Sequence, residues 1–203
     1  MSDILHRTSL NCFLSFDDYL LLIENILSEK IPRTGKYLND KTFRYTRSNL
    51  ERMQLGLNKT VLQQKLYNAL TSLKQDWVWV VITEPWCGDA SWGVPALYLV
   101  ASATQKIDFR IVLRDNNQEW MKLYQTNGAD SIPKLVCFDK STGKELGTWG
   151  PRPQVLANDM VRWVSEGEAD YTQIVRKLHS WYEQDMSREI QIELLDKVKV
   201  WLS

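Results

Sequence analysis

The spacing of apolar positions changes twice along the chain, and the two changes divide it into three parts. Near the start, Phe16, Leu20, Ile23 and Leu27 recur at helical spacing behind Ser15. Ser15 can cap such a helix, and Asp17 and Asp18 suit its positive first turn. Pro32 and Gly35 then break the pattern. Leu50, Met53 and Leu57 predict a second helix. Leu62, Leu66, Leu70 and Leu73 predict a third, starting near Thr60. Residues 77–82 read Trp-Val-Trp-Val-Val-Ile, a continuous β-branched and aromatic run that suits a strand covered on both faces. Further strands are predicted over 107–113 and 134–138, with helices over 88–104 and 117–125 between them. After Phe138, turn chemistry through Gly143 lets 145–149 return as an antiparallel partner. Helices follow over 154–165, behind Pro153, and over 171–183. Ile190, Leu194, Val198 and Trp201 mark the last.

The order is three helices, then β-α-β-α-β-β-α, then two helices. Alternation of strand and helix predicts an α/β fold with a mixed sheet and helices packed on it. The expected organisation is a helical N-terminal extension over 1–75, a core over 76–166 and a helical C-terminal extension over 167–203. A chain of 203 residues can bury a core without staples. Its 25 basic and 25 acidic residues leave no net charge to attract nucleic acid or an anionic membrane. The longest apolar runs fall far short of the ~20 residues a membrane helix needs. Residues 1–7 lack the basic and apolar regions of a secretory signal. Three separated cysteines, Cys12, Cys87 and Cys137, do not read as a disulfide framework, so reduced thiols in the cytoplasm are expected. Cys12 and Cys137 read as structural. His6 and His179 make no metal-ligand spacing with them, so no metal site is expected.

The chemistry gathers where the first strand hands over to a helix, at Trp86-Cys87-Gly88-Asp89-Ala90. Unpaired N–H groups of a first helical turn favour a thiolate over a thiol. The stretch resembles the redox site of the thioredoxin superfamily, Trp-Cys-Gly-x-Cys. Pro95 matches the proline in that family's active-site helix, and Ile132-Pro133 its cis-proline strand. Asp115 matches an acidic residue often found past the second strand. An Asn-x-x-Arg-Met stretch at residues 49–53 and Trp149-Gly150-Pro151-Arg152-Pro153 are similar to a bacterial thioredoxin-like branch. The resemblance implies a thioredoxin-like fold, Cys87 as the reacting residue and partners that are protein thiols or disulfides. It also implies a groove of Trp86, Gly88, Asp89, Ile132, Pro133, Gly150 and Arg152, in which the Ile132 backbone pairs with an extended peptide.

Two departures change that expectation. Ala90 occupies the place of the resolving cysteine, and Val81 the place of a buried aspartate that assists it. Dithiol catalysis is excluded. A single thiol can still form a mixed disulfide, which an external thiol such as glutathione would resolve, with no bound cofactor. The exchange reading predicts a Cys87 pKa well below the free value of ~8.5. The helix start favours the thiolate by roughly 0.3–1 kcal/mol. Asp89, at about 6 Å and a dielectric of 20, opposes it by up to roughly 3 kcal/mol. Arg152 is expected to offset Asp89. The alternative is a non-catalytic module that binds an extended protein segment in the same groove. Oligomeric state has no signature in the sequence.

Overall fold

β1 (Trp77–Thr83) is buried along its whole length, and the sheet forms around it in the order β2-β1-β3-β4. The structure is a computed structural model that describes residues 4–7, 12–31, 35–167 and 170–202. Pro32, one of the predicted breakers, lies outside them. β2 (Ile107–Leu113) runs parallel to β1, while β3 (Lys134–Asp139) and β4 (Glu145–Trp149) continue antiparallel on the other side. The core strands fall where the apolar runs place them, because β-branched and aromatic runs this short fit a two-sided pleat and not a helix.

Nine α-helices are found among the described residues. The first, α1, is Ile4–Arg7, and α2 (Phe16–Leu27) starts in a reciprocal capping box between Ser15 and Asp18. Its buried stripe is Phe16, Tyr19, Ile23 and Ile26, so Leu20 and Leu27 lie at the margin of the face. A short 3₁₀ turn, Gly35–Leu38, leads into α3 (Asp40–Lys59). α3 holds Leu50, Met53 and Leu57 as the spacing predicts, and one expectation is corrected in this stretch. Thr60 closes that helix instead of opening the next, its N–H bonding the Gly56 carbonyl. α4 (Gln64–Thr71) starts without a side-chain cap, and the Gln63 N–H is taken by the Gln191 side chain.

The remaining helices are α5 (Ala90–Ala101), α6 (Gln118–Leu123), α7 (Gln154–Ser165), α8 (Tyr171–Asp185) and α9 (Arg188–Trp201). Trp77 and Trp79 share a face of β1, and both meet the edge of Trp201 of α9, with ring centroids 6.0 and 6.1 Å away. On the opposite face Trp120 of α6 meets Phe138 edge-on. Two of the joints between the N-terminal extension and the core are a close helix contact and a strand-edge bridge. Gly56 of α3 lies against Pro95 of α5, where a Cβ would already touch the proline ring at 3.5 Å. Leu14 exchanges two 2.9 Å backbone hydrogen bonds with Ile111 at the outer edge of β2. No helix among the described residues is long and apolar enough to cross a membrane.

Candidate functional site

Three segments converge at the carboxyl end of β1. The first is the turn of Trp86, Cys87, Gly88 and Asp89, which ends where α5 begins at Ala90. The second is Ile132-Pro133, joined by a cis peptide bond. The third is the Trp149-Gly150-Pro151-Arg152-Pro153 loop, whose Gly150–Pro151 bond is also cis. Gly150 has φ +108°, and a Cβ there would collide with the Pro133 carbonyl. Only glycine takes this backbone shape so close to another chain segment. Pro133 in turn rests on Gly93 of α5.

Cys87 is buried, and its Sγ donates a hydrogen bond to the Ile132 carbonyl over 3.2 Å. The balance left open between the helix start and Asp89 falls against the thiolate. Burial, and after it the Asp89 charge, push the thiol up to about 12 against the N–H groups of Ala90 and Asp89 and the Arg152 charge. The Ile132 carbonyl expected to pair with a peptide is thus engaged by Cys87, and Ile132 itself is buried. Arg152 faces Asp89, the charge it is expected to offset. Its guanidinium forks onto Asp89, with Nη2 and Nε at 2.6 and 3.1 Å from the two carboxylate oxygens, so its main partner is the carboxylate and not the sulfur. Asp89 is buried and accepts a third hydrogen bond, 2.8 Å, from the Tyr182 hydroxyl of α8.

Five residues take roles in this site that the sequence reading did not give them: Asn49, Arg52, Glu84, His179 and Tyr182. Asn49 is buried, and its amide donates to the Pro85 and Cys87 carbonyls over 2.9 and 3.2 Å. Arg52 holds its oxygen from the other side. The Asn-x-x-Arg spacing sets both on one side of α3, and a polar residue inside an apolar stripe was the available signal. His179 accepts at Nδ1 from the Trp92 indole over 3.2 Å, which leaves its proton on Nε2. Burial, and then the nearby Arg52, lower its pKa to about 4. Tyr182 lies parallel to Trp92 at 6.0 Å. Glu84 is buried at the end of β1 and accepts from the Asp115 N–H over 2.8 Å. Burial raises its pKa to about 7. Val81 is fully buried and apolar, so the buried acid here sits at the strand end.

Two cations approach the Trp86 ring, Lys36 at 4.3 Å and Arg114 at 4.8 Å, both also paired with Asp115. It also borders a cavity of about 170 Å³ shared with Gly88, Asp89, Arg152 and α8 residues including Leu178 and His179. Cys137 is fully buried in β3 and Cys12 is half-buried. All three thiols are free. No cluster of three or more candidate metal ligands occurs among the described residues.

The sequence profile of a family described as thioredoxin matches residues 35–172. Among curated proteins, none matches the chain. Two crystal structures are similar in fold. One is a protein of unknown function from Pseudomonas aeruginosa, at 14% identity and a TM-score of 0.55, covering 92% of this chain and 96% of its own. The other is an HIV epitope-scaffold, at 15% identity and a TM-score of 0.53, covering 92% of this chain and 98% of its own.

Proposed function

The chain belongs to the thioredoxin family, and on that premise we propose that it exchanges disulfides through one thiol, Cys87, by way of mixed disulfides with protein partners. The supporting observation is the setting of the sulfur. It lies between the Asp89 and Ala90 N–H groups at the start of α5 and the Ile132 carbonyl before the cis-proline. The Cys87 thiolate attacks one sulfur of a partner disulfide and forms a new S–S bond. The partner's second sulfur leaves as a thiolate and takes up the proton that Cys87 released. Ala90 cannot attack in the second half-reaction. A low-molecular-weight thiol such as glutathione attacks the partner's sulfur, carries the partner off and returns Cys87 as a thiol.

One observation favours a second reading, a module that docks an extended segment without chemistry. In this conformation Cys87 is buried with its thiol donating to the Ile132 carbonyl, a setting that pushes it up to about 12. Incubation with a peptide disulfide separates the two. Exchange predicts a one-to-one adduct on Cys87, absent in Cys87→Ser and released by glutathione. No adduct at any incubation time, with peptide binding unchanged in Cys87→Ser and excess reductant, assigns the groove to docking alone.

A further inference from the structure

We propose that α8 is a lid latched over the cysteine turn, and that Cys87 becomes reactive when the lid lifts. The inference rests on the exchange reading and adds its regulation.

The latch is polar and lands on the turn and the first residues of α5. The Tyr182 hydroxyl bonds Asp89, and His179 takes the Trp92 indole N–H. The imidazole also closes the space over Gly88, where an added Cβ would meet its Cε1 at 3.2 Å. The seat beneath is incompletely filled. Between α8 and the turn lies the cavity of about 170 Å³, with half-buried Ile174 and Val175 on the lid side. Of the 15 residues of α8, only Leu178 and Tyr182 are buried. The next helix differs: α9 buries Ile190, Gln191, Leu194, Val198 and Trp201. Few buried contacts beside a cavity mark the element that opens first.

The corner between the two helices is built to turn. Met186 and Ser187 both take left-handed backbone, with φ of 45° and 64°, a shape that non-glycine residues hold under strain. On the α9 side the corner is tied to the segment that follows α3, while the Asp185 carboxylate at the end of α8 accepts the Glu189 N–H of α9. Ser187 Oγ lies 3.3 Å from Thr60 Oγ1, and the Gln191 side chain bonds the Gln63 N–H and the Val61 carbonyl. Lifting α8 removes Tyr182 from Asp89 and wets the turn. Arg152 remains on Asp89, and the Asp89 and Ala90 N–H groups remain on Cys87.

The test is the rate of iodoacetamide labelling of each cysteine in the full chain, resolved by peptide mass spectrometry. Tyr182→Phe keeps the ring against Trp92 and removes the hydroxyl, and His179→Ala removes the second bond. Labelling of Cys87 is expected to rise at least tenfold in both, while Cys137, fully buried in β3, stays unlabelled. Unchanged Cys87 labelling in both variants overturns the proposal. So does a parallel rise at Cys137, which signals global opening. A peptide disulfide distinguishes this from the exchange reading: faster labelling without a mixed disulfide leaves the lid and removes the exchange.

Discussion

At the residue scale the site is held by polar groups whose partners are distant in sequence. Asn49 supplies two hydrogen bonds to the loop that carries Cys87. Asn49→Ala strands both carbonyls and is expected to cost about 2–3 kcal/mol, read from urea unfolding. Glu84 gives the sharper test. Its folded pKa is raised to about 7 by burial. A raised carboxyl binds its proton more tightly in the folded state, so its contribution is full below about pH 4.5 and is lost as pH rises through 7. Glu84→Gln keeps an acceptor for Asp115 and cannot ionise. It is expected to match the parent chain near pH 4 and to exceed it by about 3 kcal/mol at pH 8. Equal stabilities at pH 8 would sink this account. The cysteine turn, Ile132-Pro133 and Arg152 were legible because they lie in short motifs. Tyr182 and His179 were not, because sequence spacing carries no trace of bonds that span 93 and 87 residues. For the same reason the sign of the Cys87 shift stayed open between the helix start and Asp89: burial by other segments, the largest cause, leaves no mark in the local sequence.

At the element scale, strands and C-terminal helices were more legible than the N-terminal helices. The run at 77–82 has one solution in a two-sided sheet. The leucines from Leu50 to Leu73 fit several helix boundaries, and no strong cap marks the true break, since Gln63 precedes α4 without a side-chain bond. α9 is the better anchored of the two last helices, and Trp201 is its anchor. Trp201→Ala removes the ring facing Trp77 and Trp79 and is expected to cost about 3–5 kcal/mol in a denaturant titration. Gly150→Ala forces a Cβ toward the Pro133 carbonyl at positive φ. The expected loss is at least about 2 kcal/mol, with a lower midpoint in the same titration.

At the scale of the whole molecule, the added helices are parts of one core and not appendages. α3 meets α5 through Gly56 and Pro95, α9 covers the tryptophan face of β1, and the site takes Asn49 from one extension and Tyr182 from the other. Unfolding is therefore expected to be a single transition, with tryptophan fluorescence and far-ultraviolet circular dichroism coinciding in urea. Separated midpoints would show that an extension folds on its own. The Leu14 bridge on β2 has a consequence for self-association. By occupying Ile111 at mid-strand, it denies that margin to an incoming chain, and β4 is left as the open margin among the described residues. Copies meeting strand to strand can then join at one end only, so such growth stops at a pair and cannot propagate into a fibril.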